Sequence, residues 1–230
     1  MSQFSLQVGL TPEGPCSYLP GQQERLGVAM DTDFHSPLGY QTLIRLGFRR
    51  SGPTVYKPMC EACNACQPLR INANEFTPSK NQKRILNKLS SFTWEIKTEM
   101  DPEWFSLYER YINARHQSGT MFPANKEQFF EFSHADWLTN HFLHIYENNT
   151  LIAIAVTDIL SDSISAMYTF FEPEHPLSLG TISILVQIKL CINLGKNWLY
   201  PGYQIDDCPA MKYKDRYKPN QKLVNMVWQG

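Results

Sequence analysis

Three cysteines, Cys60, Cys63 and Cys66, follow one another at every third position and form the sharpest chemical pattern in this chain. Sulfurs at that spacing can converge on one ion, and Cys16 can supply a fourth ligand. Four thiolates suit tetrahedral zinc or an iron–sulfur cluster. The same residues can equally be buried thiols that bind nothing, because free cysteine packs as a small hydrophobe. Cys191 and Cys208 lie far along the chain and read as ordinary core or loop thiols. A second pattern is Arg49-Arg50-Ser51-Gly52, with Arg70 following beyond the cysteines. Paired arginines beside a tight turn can fork onto a carboxylate or phosphate, or they can simply charge the surface of a strand. A third is the tyrosine-rich, basic stretch of Tyr200-Pro-Gly-Tyr203-Gln-Ile-Asp206 and Met211-Lys-Tyr-Lys-Asp-Arg-Tyr-Lys-Pro219. Tyrosine faces and basic groups together suit single-stranded nucleic acid. The histidines are scattered, and no nucleophile–histidine set can be assembled from spacing.

Turn residues and periodicity indicate the elements that must hold these groups. The first ninety residues are rich in turn formers and read as short strands, with one helix through Pro37 to Leu46. Ser79 to Leu89 reads as a helix with a Ser or Thr cap. Its Lys80, Arg84 and Lys88 recur every four residues, while Ile85, Leu86 and Leu89 point elsewhere, so it should dock apolar side down and show a basic edge. Asp101-Pro102 marks a second helix, with a capping acid and Pro in the first turn. Asn125 to Phe132 is a further short one. A β meander follows: His141–Glu147, a turn at Asn148-Asn149, Leu151–Leu160, and Ile164–Phe171. Thr181 to Leu194 is then a buried helix ended by Gly195, and Asn197 to Tyr203 a strand. This order is the layout of an N-acetyltransferase-like α/β (α+β) fold with a mixed, largely antiparallel sheet. It implies a small, basic, cysteine-containing domain over residues 1–90 and an N-acetyltransferase-like domain over 91–230. Such acetyltransferases carry a glycine-rich pyrophosphate loop where the central helix begins. Ser178-Leu-Gly-Thr-Ile-Ser183 has a single glycine there, a poor match for coenzyme A.

Composition sets wider bounds. With 43% hydrophobic and 13% aromatic residues a packed core is assured and disorder is excluded. The longest apolar runs, Leu151–Val156 and Ile182–Leu185, fall far short of the roughly 18 residues that cross a bilayer. Met1 to Leu10 lacks the basic and apolar regions of a secretory signal, so a soluble cytoplasmic protein with reduced thiols is expected. The net charge of −1 hides an asymmetry: Tyr40 to Ser90 carries nine basic residues against two acidic ones. Such a concentration attracts polyanions.

Taken in order, the motifs resemble the bacterial aspartate/glutamate leucyltransferases, relatives of the arginyl-tRNA–protein transferases. The resemblance runs through nearly the whole chain. It includes Cys16-Ser-Tyr18, Gly47-Phe-Arg49-Arg50-Ser-Gly52, Tyr56-Lys-Pro58, the cysteines leading to Pro68-Leu-Arg70, and Ser79-Lys-Asn-Gln-Lys-Arg84. Further on come His116-x2-Gly119-x-Met121, Tyr168-Thr-Phe-Phe171, Leu179-Gly-Thr181, Tyr200-x-Gly-Tyr203-x-Ile205 and Met211-x-Tyr-Lys214. Two departures stand out. Leu19 occupies the place of a second N-terminal cysteine in the eukaryotic relatives, and Pro201 stands where the family has Leu.

The resemblance implies an aminoacyltransferase that moves leucine from Leu-tRNA to the N-terminal Asp or Glu of an acceptor protein, marking it for degradation. It needs no cofactor for transfer, and its partners are the charged tRNA and the acceptor, not a membrane. On this reading Lys80, Lys83, Arg84 and Lys88 contact tRNA phosphates, and Lys212, Lys214 and Arg216 hold the acceptor end. Arg49, Arg50 and Arg70 bind the acceptor carboxylate. Tyr168 and Tyr203 orient the ester or donate to the oxyanion, and Asp206 relays the amine proton. Cys16, Cys60, Cys63 and Cys66 are candidates for a structural zinc or iron–sulfur cluster. The rival readings are a coenzyme A-dependent N-acetyltransferase and a non-enzymatic metal-containing tRNA-binding module. A test for acetyl-CoA binding separates the first, and tRNA binding without transfer would favour the second.

Overall fold

The computed structural model describes residues 5–230; Met1 to Phe4, part of the opening stretch weighed as a signal, lie outside the described residues. The turn-rich first third forms short strands: β1 (Val8–Leu10), β2 (Gly14–Pro15), β3 (Gln23–Glu24) and β4 (Leu26–Ala29). Helix α1 (Pro37–Arg45) follows, capped by the Ser36 hydroxyl on the Gly39 amide. Then come β5 (Arg49–Ser51), β6 (Thr54–Pro58) and β7 (Gln67–Asn72). Strands β1, β4, β6 and β5 make a four-stranded antiparallel sheet, and β2 pairs with β3 in a ribbon.

Helix α2 (Lys80–Leu86) opens with a full capping box, in which the Ser79 side chain accepts from the Gln82 amide and the Gln82 side chain from the Ser79 amide. This satisfies two otherwise unpaired donors. Strand β8 (Phe92–Lys97) precedes α3 (Trp104–Arg115). Here the expectation for Asp101-Pro102 is corrected: the helix begins at Trp104, because the Asp101 carboxylate accepts from the Glu103 amide and its carbonyl from the Trp104 amide in a separate turn. Helix α4 (Lys126–Ser133) is capped by Asn125 on the Gln128 amide.

The meander is as expected: β9 (His141–Glu147), β10 (Thr150–Ile159) and β11 (Ser163–Phe171). Asn148 and Asn149, at φ 50° and 65°, make the tight turn, since asparagine tolerates the left-handed region. Helix α5 (Leu179–Asn193) is apolar around most of its circumference and buried accordingly. Strand β12 (Trp198–Gln204), the short α6 (Pro209–Lys212), a 3-10 turn over Tyr213–Arg216, β13 (Asn220–Val224) and β14 (Val227–Gln229) complete the chain.

These strands assemble into an eight-stranded sheet in the order β14-β13-β7-β12-β11-β10-β9-β8. Every pair is antiparallel except β11 with β12. The topology is the N-acetyltransferase-like layout read from the sequence. Strand β7, from the first ninety residues, lies between β12 and β13, so the large sheet draws on both segments of the chain. One face packs on α5 through Leu143, Ala153, Ile164 and Leu199. The other packs on α3 and α4 through Phe142, Ile154 and Phe170. Among the described residues, no helix is long and apolar enough to cross a membrane.

Candidate active site

The sheet opens at its parallel pair. Strands β11 and β12 are hydrogen-bonded only over Ser163–Ser165 and Trp198–Tyr200. Just where pairing stops, Arg49 reaches in: one guanidinium nitrogen donates to the Ala166 carbonyl of β11 and another to the Tyr200 carbonyl of β12, each at 3.1 Å. Arg49 thus holds one backbone carbonyl on each of the parting strands. Arg49 is only 8% exposed, so its charge is a fixture of the parting strands.

Beside this opening lies a cavity of about 1000 Å³. Its walls come from the N-terminal sheet and ribbon (Tyr18, Glu24, Tyr56, Lys57), from Tyr203 of β12, and from the β13–β14 turn at Asn225-Met226. The Tyr203 hydroxyl donates to the Gly47 carbonyl at 2.9 Å, and burial drives its pKa well up. Tyr203 is therefore a neutral wall residue tied to the N-terminal segment. Tyr168 sits elsewhere, against the Phe132 ring among the α3–α4 aromatics. Its enclosed hydroxyl has no partner among the described residues, and burial again raises its pKa. Thr120 lines the cavity, and its neighbour Met121 joins the cluster around Tyr168. Asp206 is exposed and accepts from Gln204 Nε2 at 2.6 Å. That bond, and then Lys222, hold its pKa below the usual value, which makes it a weak base.

All three arginines expected to receive a carboxylate already have partners within the chain. Arg49 bridges the strands. Arg50 and Asp158 form an ion pair with both side chains fully enclosed, and Arg50 also donates to the Ser133 and Gly52 carbonyls. This ties the β5–β6 turn to the end of α4. Gly52 makes the approach possible, since a Cβ there would lie 2.1 Å from the Glu131 carbonyl oxygen. Arg70 donates twice to Gln221 Oε1 and is stacked 3.8 Å from the Trp198 ring centroid and 4.4 Å from that of Trp228. Sequence could not show this, because every partner but Gly52 lies between 83 and 158 positions away.

The basic groups divide. Lys80, Lys83, Arg84 and Lys88 are all exposed, and none has a carboxylate partner among the described residues. Lys212 and Arg216 are exposed as well. Lys214 corrects the expectation of a phosphate contact: it is 7% exposed, and its Nζ donates to the Tyr203 carbonyl at 2.8 Å. Burial and then the nearby Arg49 lower its pKa to about 7. The 3-10 turn is thus fastened on two sides, because Gln82 Nε2 of α2 donates to the Arg216 carbonyl at 3.3 Å.

Cys16, Cys60, Cys63 and Cys66 all line the cavity. The Cys16 sulfur accepts from the Tyr18 and Leu19 amides, each at 3.4 Å, and burial followed by the other three thiols pushes Cys66 up to about 12. The four gather without converging: among the described residues no three His, Cys, Asp or Glu side chains are arranged to hold a metal ion. No step below runs through a metal.

A mixed, largely antiparallel α/β sheet that parts beside a cavity is the architecture this chain builds. A sequence model described as "Arginine-tRNA-protein transferase, N terminus" matches residues 14–84, and one described as "Arginine-tRNA-protein transferase, C terminus" matches residues 103–224. The chain belongs to the arginine-tRNA-protein transferase family, and it is an aminoacyltransferase. A protein of Vibrio parahaemolyticus named aspartate/glutamate leucyltransferase is 54% identical over 98% of this chain and 97% of its own length. Proteins of the same name from Vibrio cholerae and Aeromonas hydrophila are 51% and 45% identical, again over 98% of this chain, and over 97% and 95% of their own. Among solved structures, "The structure of L-PGS from Bacillus licheniformis" has a TM-score of 0.49 at 10% identity, covering 73% of this chain and 51% of that one. "Crystal structure of FemX" has 0.48 at 8%, covering 88% and 80%. Likenesses this slight decide nothing further.

Proposed function

We propose that this chain works in the cytoplasm and transfers leucine from Leu-tRNA to the N-terminal Asp or Glu of an acceptor protein; the names of its relatives support the leucine and the acidic acceptor, and its family description the tRNA. The observation that carries the reading is the turn at Tyr213–Arg216, fastened to the basic helix α2 through Gln82 and to the cavity wall through Lys214 and Tyr203. A tRNA held along Lys80, Lys83, Arg84, Lys88, Lys212 and Arg216 would bring its aminoacyl end to that cavity. Phosphate contacts of this kind position a nucleic acid without reading its sequence.

The chemistry asks little of any one side chain. The donor is an ester, already activated. An N-terminal amine with a pKa near about 8 is partly neutral at pH 7. Its nitrogen attacks the ester carbonyl, the N–C bond forms, and the tetrahedral intermediate collapses by breaking the C–O bond to the ribose. The proton lost by nitrogen ends on the departing ribose hydroxyl. Holding amine and ester in register can account for about 7–11 kcal/mol of the barrier in favourable cases. Tyr203, neutral in the cavity wall, helps to orient the ester, while Tyr168 supports the parting strands from the other side. The proton that an N-terminal ammonium sheds before attack passes to solvent, and Asp206, exposed and a weak base, takes no other part in the step. A structural zinc or iron–sulfur cluster at the four cysteines is a separate proposal, decided by elemental analysis of the purified protein.

The test mixes purified protein and Leu-tRNA with peptides beginning in Asp, Glu, Asn or Lys, and reads N-terminal mass. A leucyl increment confined to the Asp and Glu peptides is expected. If no peptide gains mass, the reading is lost.

A further inference from the structure

With Arg49, Arg50 and Arg70 all engaged, an acidic first residue needs another cation. Among the described residues Lys57 is the one Lys, Arg or His that lines the cavity. Strand β6 places it rigidly, being hydrogen-bonded on one side to β4, where Lys57 faces Gly27, and on the other to β5. Its Nζ stands 4.9 Å from the centroid of the Phe48 ring. Among the described residues it pairs with no carboxylate or carbonyl. The one carboxylate of the cavity wall, Glu24, is held instead by the amide and hydroxyl of Ser17.

We propose that Lys57 is the specificity-determining cation that receives the side-chain carboxylate of the acceptor's N-terminal Asp or Glu. The proposal rests on the function proposed above and names the group that selects its substrate. Lys57 is half-buried, and that burial lowers its pKa, so an ammonium already short of water gains from a carboxylate what an amide cannot return. Asn and Gln have the same shape as Asp and Glu but lack the charge. Charge-assisted bonds of this type separate such pairs by roughly tenfold or more in kcat/KM.

The experiment compares the unsubstituted protein with Lys57→Gln and Lys57→Arg, using Leu-tRNA and otherwise identical peptides beginning in Asp or Asn. The Asp-over-Asn ratio of kcat/KM should fall about tenfold in Lys57→Gln and be largely retained in Lys57→Arg. An unchanged ratio in an active Lys57→Gln overturns the role of Lys57 while leaving leucyl transfer intact. So does an equal loss on both peptides together with weaker Leu-tRNA binding, which would mark Lys57 as a phosphate contact. Absence of transfer by the unsubstituted protein removes the function and this role together. Should Lys57→Gln not fold, amine labelling of the unsubstituted protein decides the matter by peptide mass spectrometry. The Asp peptide should shield Lys57 where the Asn peptide does not, and equal labelling overturns the proposal.

Discussion

Two buried charges at the residue scale lead to measurable behaviour. Lys214 has a folded pKa of about 7 against an ordinary 10.5. Between those values the unfolded chain binds a proton that the folded chain does not, so stability rises with pH across that window, and below about 7 the cost is constant. The rise should be clearest from pH 7 to 9, before Cys66 works against it. That thiol, shifted up from 9.0, favours the folded state less as pH climbs. Thermal melts of Lys214→Met should be flat across that interval where the parent's midpoint climbs. Arg50 and Asp158 are the second case. Removing one partner of an enclosed pair leaves the other charge without compensation, which costs about 3–5 kcal/mol. Asp158→Asn and Arg50→Met should each show that loss in urea titrations, and an apolar replacement of both together should recover much of it. Nothing in the residue pattern announces either feature. Lys214 stands in a run of basic residues that looks solvated, and Asp158 is the one charged residue of a largely apolar strand, 108 positions from its partner.

Single elements were far more legible. The meander could be read because its signals are local: alternating apolar residues, and two asparagines where the chain must turn with positive φ. Helix α2 was equally plain, with its serine cap, apolar flank and three exposed cations. Its role can be measured. Neutralising Lys83 and Arg84 to Gln should weaken tRNA binding and reduce the slope of log K against log salt by about 0.7–0.9 for each lost phosphate contact. An unaltered slope would take α2 out of the tRNA path. Ser79→Ala removes half of the capping box at a cost of about 1 kcal/mol. Because Gln82 also holds the Arg216 carbonyl, loosening that cap should lower transfer more than it lowers melting temperature. Long-range register was the hidden part. The cysteines, arginines and tyrosines were found as candidates, but which of them face one cavity depends on β6, β12 and the β13–β14 turn meeting across the molecule. Lys57 counts among the nine basic residues of Tyr40 to Ser90 but receives no role from sequence, because nothing local separates it from any lysine on a strand.

At the scale of the whole molecule, the division into residues 1–90 and 91–230 remains a proposal about two sequence segments. The large sheet is shared, with β7 hydrogen-bonded to β12 on one side and β13 on the other. A fragment beginning at residue 91 would leave both neighbours with open edges in the middle of the sheet, and exposed edges of that kind promote aggregation. Such a fragment should be insoluble or oligomeric in size-exclusion chromatography, and adding residues 1–90 as a separate chain should restore some monomeric complex. The position of β7 also has a temporal side. A strand made early in synthesis waits for a neighbour, Asn220–Val224, that is made long after it. Until that hairpin clears the ribosomal tunnel the cavity lacks its Asn225-Met226 wall. A nascent chain therefore has no finished pocket with which to act on the charged tRNAs that crowd the ribosome producing it.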